Sequence, residues 1–141
     1  MNTYKYSDMF VGLEECFYVK ITDEMMERFF KITQDKNPLH CDQAFAQEHG
    51  YSDKVVYGML TSSMLSTLAG VYLPGRNSLI HEVQTKFVKP VYVDDTLCIS
   101  GKVVELNNSV ERIVIKVTVF NQKQEKVLRG IMKVGFIHET K

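Results

Sequence analysis

The stretch of sequence that decides the fold runs from Val55 to Gly75 and reads VVYGMLTSSMLSTLAGVYLPG. Residues 59–69 are good helix formers, and the pair Pro74-Gly75 is a typical helix stop. No charged residue interrupts the stretch. A helix of about 15 residues would be about 22 Å long at about 1.5 Å per residue. Because it would have no charged face, we expect the rest of the chain to cover it on every side.

A membrane span is the alternative interpretation of such a long uncharged run. A span needs about 20 mostly apolar residues. This run ends at a Pro-Gly pair and contains several serine and threonine residues, namely Thr61, Ser62, Ser63, Ser66 and Thr67. The composition therefore favours a buried core helix, and we expect no contact with a membrane.

The overall composition is typical of one globular domain inside the cell. The chain has 141 residues, of which 45% are hydrophobic, with 17 basic and 17 acidic side chains. This balance gives no electrostatic reason to expect nucleic acid as a partner. The N-terminus lacks the apolar core of a signal peptide, and three scattered cysteines indicate reduced thiols. We expect a single domain over residues 1–141, located in the cytoplasm.

The pattern predicts one strand and two helices before the central helix, and four strands after it. A strand is predicted over 15–21, then a helix capped by Thr22 and ending near Gln34, then a short helix over 43–48. Residues 1–12 are expected to be a loose lead-in. Strands over 79–89, 96–106, 112–120 and 126–137, joined by short turns, predict an antiparallel meander. The prediction is an α+β domain, an antiparallel sheet wrapped around a long buried central helix.

An acidic residue and a histidine flank a rigid turn in the sequence. Pro38 removes a backbone donor and pushes Asn37 out of the helical region, so Asp35 and His40 flank a break in the helix. A carboxylate and an imidazole together can bind a water, take its proton and return a proton elsewhere. Asn37 could hydrogen-bond either side chain or brace the turn. The alternative is structural, with Asp35 closing the turn and His40 on the surface, and spacing alone favours that alternative.

The start of the central helix is a second candidate element. Helix N-termini present unpaired N–H groups and a partial positive charge, and Gly58 would let a ligand oxygen approach closely. Such a position suits a carbonyl that gains negative charge. Taken alone, Gly58 is better explained by helix packing.

The hydroxyls of Ser63 and Ser66 need partners, either a backbone carbonyl or a side chain of a site. The other histidines lack the spacing of metal ligands, so no metal site is expected.

Together these elements resemble the MaoC-like dehydratase family, the hydratase-2 branch of the hot-dog fold. The matching residues are Asp35-x-Asn37-Pro38-Leu39-His40-x-Asp42, Ala44, Ala46, Gly58-Met59-Leu60, Ser63, Ser66, Leu73-Pro74-Gly75, Phe87-x-x-Pro90-Val91, Asp95-Thr96 and Gly130. The resemblance covers nearly the whole chain, from Phe17 to Phe136. Several elements in the right order are more specific than any one of them.

The resemblance implies (R)-specific hydration of a trans-2-enoyl thioester, or the reverse dehydration of a 3-hydroxyacyl thioester. Asp35 and His40 would be the catalytic acid–base pair acting on one water, and the Gly58 N–H would polarise the thioester carbonyl. The residues implied to lie around the substrate or to support the pair are Asn37, Tyr57, Met59, Ser63 and Ser66. The resemblance also implies a homodimer or higher homo-oligomer. The substrate would be carried on coenzyme A or acyl carrier protein, with no other cofactor.

Three positions depart from the family pattern. Tyr57 stands where the family commonly has His, Gln34 where Gly is frequent, and Asp94-Asp95 in place of Gly-Asp. Tyr57 can still donate a hydrogen bond but does not titrate near pH 7, so we expect it to affect pocket shape or substrate preference.

Two other functions are compatible with the same fold: an acyl-CoA thioesterase and a non-catalytic acyl-thioester-binding subunit. Fold analogy alone does not choose between them.

Overall fold

A computed structural model describes residues 1–138, and the last three residues of the domain predicted over 1–141 lie outside this part. The helices are α1 (Asp23–Thr33), α2 (Pro38–Cys41), α3 (Gln43–Glu48) and α4 (Gly58–Thr67), the last continued by a π-helical turn (Leu68–Tyr72). The strands are β1 (Glu14–Lys20), β2 (Ser78–Phe87), β3 (Thr96–Asn107), β4 (Arg112–Phe120) and β5 (Lys126–Phe136). No helix within 1–138 combines the length and the apolar character that a bilayer crossing needs.

The five strands form one antiparallel sheet in the order β1-β3-β4-β5-β2. Strands β3, β4 and β5 form a meander, but the prediction that β2 is the first strand of that meander was wrong. β2 pairs with β5 instead, at the edge opposite β1. The connection 88–95 explains the difference. It contains Pro90, and Val91 O accepts a hydrogen bond from Val56 N–H (2.8 Å), so this connection does not form the tight turn of a hairpin.

The central helix α4 and its π-helical extension pack one side against the sheet. Leu65, Leu68 and Ala69 are almost fully buried there. The sheet residues that share this core are Leu97, Ile99, Val103, Ile113, Ile115, Val117, Val119, Leu128, Met132 and Val134. Gly101 permits the close approach, since a Cβ at that position would lie 2.9 Å from Leu68 Cδ2. The predicted α+β architecture, with an antiparallel sheet around a central helix, is confirmed.

One face of α4 remains open in the single chain, so the expectation that the helix is covered on every side was wrong. Met59 is 63% exposed, and Ser63 and Ser66 are exposed on the same face. Hydroxyl groups can bond to water, so an uncharged helix face need not be a buried one. The neighbouring edge strand β2 is also uncovered on its helix-facing side, where Val83 is 42% and Phe87 is 55% exposed.

The first residues of the chain are bound to the far end of the central helix rather than loose. The Asn2 N–H donates to Val71 O (2.8 Å), and its side-chain amide donates to Tyr72 O (2.7 Å). Thr3 forms a β-bridge with Gly75. These bonds satisfy carbonyls that a helix end leaves without partners, and they correct the expectation of a loose lead-in over 1–12.

Candidate active site

Hydrogen bonds between side chains and backbone hold the turn that separates α1 from α2. The Asn37 N–H donates to Asp35 Oδ1 (3.0 Å), and Asn37 Oδ1 accepts from the Leu39 N–H (3.0 Å). Asn37 is therefore the N-cap of α2, with Pro38 at the first helical position. Of the roles open to Asn37 in the sequence, bracing the turn is the one observed. The bond from the Asn37 N–H restricts the orientation of the Asp35 carboxylate.

His40 is tied to the segment that precedes the central helix. Its Nδ1 lies 2.7 Å from Val55 O. A carbonyl oxygen can only accept, so Nδ1 carries the proton in this bond. In the neutral imidazole, Nε2 then has a lone pair and can take a proton from another group. The ring also packs on Tyr57, with centroids 4.4 Å apart, so the orientation of the imidazole is fixed from two sides.

Tyr57 contacts both the turn of Asp35 and the ring of His40. Tyr57 is 3% exposed, and its hydroxyl donates to the backbone carbonyl of Asp35 (3.4 Å). The hydroxyl also lies 3.8 Å from Cys41 Sγ, and the ring contacts Phe29 (centroids 5.0 Å). Burial, followed by the contact with Cys41, raises the pKa of Tyr57 to about 12. Tyr57 is therefore a neutral donor at any physiological pH.

Gly58 begins α4 and lies in the same cavity as His40. The cavity has a volume of about 240 Å³. Its lining residues are His40, Tyr51, Val55, Val56, Gly58, Thr61, Phe87, Val88, Lys89, Pro90, Val91 and Val127. The first N–H groups of a helix have no acceptor within the helix, and a Cβ on Gly58 would lie only 3.0 Å from the ring of Phe87. Asp35 is not among the residues that line this cavity; its contact with the site is the hydrogen bond from the Tyr57 hydroxyl to its backbone carbonyl.

The other predicted site residues lie elsewhere on α4. The Ser63 hydroxyl donates to Leu60 O (2.6 Å), which is the backbone partner that the sequence left as one alternative. Met59 and Ser66 are exposed on the open helix face. The structure thus brings His40 and Gly58 to one cavity, with Tyr57 packed on the His40 ring and bonded to the backbone carbonyl of Asp35. Met59, Ser63 and Ser66 do not line the cavity that contains His40.

Thr61 lines the cavity, and sequence reasoning did not single it out. It is 2% exposed, and its Oγ1 has no hydrogen-bond partner among residues 1–138. An unpaired buried hydroxyl costs about 1–3 kcal/mol. The sequence did contain one indication of this position: Thr61 follows Gly58 by three residues, which puts both residues on one face of the helix.

The described part of the chain, residues 1–138, has no group of three or more His, Cys, Asp and Glu side chains that could hold a metal ion. The groups that line the cavity and could take part in chemistry are the His40 imidazole and the N-terminus of α4 at Gly58.

The comparisons with known proteins agree on one family. Residues 15–126 match the model described as the MaoC like domain. The (R)-specific enoyl-CoA hydratase of Aeromonas caviae is 33% identical over 94 residues, which are 67% of this chain and 70% of the relative. The 3-hydroxybutyryl-CoA dehydratase of Methylorubrum extorquens is 29% identical over 101 residues, which are 72% of this chain and 64% of the relative. The match thus spans less than two thirds of that second relative.

Two solved structures share the fold. The R-hydratase of Pseudomonas aeruginosa superposes with a TM-score of 0.87 at 25% identity, covering 95% of this chain and 86% of that one. The (R)-hydratase of A. caviae gives a TM-score of 0.86 at 27% identity, covering 92% and 98%. The hot-dog fold expected from the sequence is thereby confirmed.

Proposed function

The chain belongs to the MaoC-like family of hydratases and dehydratases, and from this premise we propose that it hydrates trans-2-enoyl thioesters to (R)-3-hydroxyacyl thioesters and catalyses the reverse dehydration. One observation carries the proposal. His40, whose Nδ1 is bound to Val55 O (2.7 Å), lines the same cavity as Gly58 at the start of α4. A proton acceptor and a helix N-terminus that favours negative charge thus face one space.

In the proposed hydration, His40 and Asp35 act on one water. The water oxygen forms a bond to C3 while one of its protons passes to His40 Nε2. The electrons of the C2–C3 double bond move toward C2 and the thioester carbonyl oxygen. The acid–base pair then returns a proton to C2, which restores the carbonyl and completes the addition of water. Dehydration follows the same steps in reverse.

Asp35 is proposed to hold the water in position. One of its oxygens, Oδ1, accepts from the Asn37 N–H, whereas Oδ2 has no hydrogen-bond partner among the described residues. A carboxylate that is oriented by one oxygen can present the other to a water. Tyr57 donates to the Asp35 backbone carbonyl and packs on the His40 ring, so it connects the two segments that carry these groups.

Gly58 is proposed to stabilise the charge that develops on the carbonyl oxygen. Its N–H lies in the first turn of α4, where the partial positive charge of the helix adds to the hydrogen bond. Donors of this kind typically contribute about 100- to 1000-fold in rate. The reaction needs no electron transfer, so we propose no cofactor beyond the coenzyme A or acyl carrier protein that carries the acyl group.

We extend the proposal to a homodimer or higher homo-oligomer. The edge strand β2 pairs only with β5 among the described residues, so its other edge presents unpaired backbone groups. Its helix-facing side chains and the open face of α4 are uncovered together, including Val83, Phe87 and Met59. A second copy that adds its own β2 to this edge would cover both surfaces.

The test is hydration of crotonyl-CoA, followed by the loss of the ultraviolet absorbance of the conjugated thioester. We expect Asp35→Asn and His40→Ala to lower kcat by about 100- to 10,000-fold. His49→Ala is a matched control, because His49 also bonds a backbone carbonyl through Nδ1 (Phe45 O, 2.7 Å) and packs on an aromatic ring, but lies outside the cavity. The 3-hydroxybutyryl product should have the R configuration.

Two results would replace the proposal. Release of free thiol without loss of the double bond would indicate the thioesterase. Binding of crotonyl-CoA with unchanged absorbance at every enzyme concentration would indicate the non-catalytic binding subunit.

A further inference from the structure

Thr61 carries a buried hydroxyl that the fold does not use. It is the one buried side-chain nitrogen or oxygen within residues 1–138 that lacks a hydrogen-bond partner. The hydroxyls beside it are satisfied, since Ser62 Oγ donates to Thr85 Oγ1 (3.5 Å) and Ser63 Oγ donates to Leu60 O (2.6 Å). Buried polar groups without partners are rare in folded proteins and call for an explanation such as a bound ligand.

The position of Thr61 directs this hydroxyl to the start of the helix. Side chains of an α-helix lean toward its N-terminus, and residues three apart lie on one face. Thr61 therefore leans over the turn of Gly58, which has no side chain of its own to fill that place. Thr61, Gly58 and His40 line one cavity.

We infer that the Thr61 hydroxyl is a second hydrogen-bond donor to the thioester carbonyl oxygen, beside the Gly58 N–H. This inference rests on the proposed function. A threonine hydroxyl can rotate to donate to an oxygen that arrives on its side. Because the hydroxyl is already out of water and has no other bond to break, it gains a partner when the substrate binds. It then stabilises the charge that the carbonyl oxygen acquires in the transition state.

Phe87 also lines this cavity, beside Gly58. Its ring atom Cε1 lies 3.0 Å from the position that a Cβ on Gly58 would occupy, so the ring lies over the start of the helix. Phe87 is 55% exposed at the sheet edge of the single chain.

The experiment compares Thr61→Val with Thr61→Ser. Valine keeps the shape and removes the donor, whereas serine keeps the donor. We expect Thr61→Val to lower kcat on crotonyl-CoA by about 100-fold, with a smaller change in KM, and Thr61→Ser to stay within a few-fold of the wild type. The melting temperature of free Thr61→Val should equal or exceed that of the wild type, because an unpaired hydroxyl has been removed. Thr67→Val, at the other end of α4, is the matched control.

A spectroscopic readout separates this inference from the proposed function. The infrared carbonyl stretch of crotonyl-CoA bound to His40→Ala should lie at lower frequency than that of the same ligand bound to His40→Ala/Thr61→Val. We expect this difference even if the wild type does not hydrate crotonyl-CoA. That result would refute the proposed reaction but not the role of Thr61 as a donor. An active wild type with full activity in Thr61→Val overturns the inference, and so does an identical carbonyl stretch in the two proteins.

Discussion

The replacement Gly58→Ala separates the catalytic role of the helix start from its structural role. Gly58 does not have a positive φ, unlike Gly12, Gly50 and Gly75, so alanine can adopt its backbone conformation. The added Cβ would lie 3.0–3.2 Å from three atoms of the Phe87 ring. The ring must move by a few tenths of an ångström, which its exposed position at the sheet edge allows.

The expected effects on stability and on rate differ greatly. Alanine in a helix is favoured over glycine by about 0.5–1 kcal/mol, and displacing Phe87 offsets this gain. We expect the free energy of unfolding, measured by urea denaturation, to change by less than about 1 kcal/mol. The methyl group enters the cavity of His40 and holds the carbonyl away from the Gly58 N–H. We therefore expect kcat to fall by about 100- to 1000-fold, or about 2.7–4 kcal/mol of transition-state stabilisation.

The assay is hydration of crotonyl-CoA, and Gly70→Ala is the control. A Cβ at Gly70 would meet only Ser78 Oγ at 3.9 Å, an ordinary contact outside the cavity. The double variant Gly58→Ala/Phe87→Ala removes the steric conflict, so it should leave the rate low. Full activity in Gly58→Ala, or recovery of activity in the double variant, would refute the role of this N–H.

Three further predictions follow from other parts of the structure. Because the pKa of Tyr57 is raised to about 12 in the folded state, the unfolded chain releases this proton first, near its ordinary pKa of about 10. As the pH rises between these two pKa values, the free energy of unfolding of the wild type should fall by about 1.4 kcal/mol per pH unit. Tyr57→Phe lacks this proton and should not show the loss, which a comparison of urea midpoints at pH 9 and pH 11 measures. Val83→Lys on the uncovered side of β2 should convert the proposed dimer to monomer in analytical ultracentrifugation, and an unchanged mass would contradict that interface. Asn37→Ala removes the α2 cap and should cost about 0.5–2 kcal/mol in urea denaturation; it should also lower kcat, because Asp35 loses its ordered neighbour.

Local chemistry explains the parts that the sequence predicted well. The cap at Thr22 and the stop at Pro74 act within a few residues and lie where the sequence predicted them. The break before Pro38 was also predicted, but Pro38 itself begins the short helix α2, where the sequence predicted no helix. Strand β4 was predicted with its observed bounds because its side chains alternate clearly between the two faces.

The parts that were missed depend on contacts between distant residues. Nothing local to β2 shows that it pairs with β5, and nothing local to Asn2 shows that it binds Val71 and Tyr72. The bond of His40 to Val55 O fixes the proton on Nδ1, but the Asp-x-Asn-Pro-x-His motif does not contain its acceptor. The unpaired hydroxyl of Thr61 is a property of packing, which residue spacing cannot show.

The pairing of β1 has a consequence for the chain during its synthesis. β1 has one sheet neighbour, β3, whose residues follow about 80 positions later. At about 5–20 residues per second, the ribosome delivers β3 about 4–16 s after β1. During that interval Phe17 and Val19 have no strand to pack beside, whereas β3, β4 and β5 can pair as they emerge in succession. The first strand made is thus completed late, and it is the segment of the nascent chain that we expect a chaperone to protect.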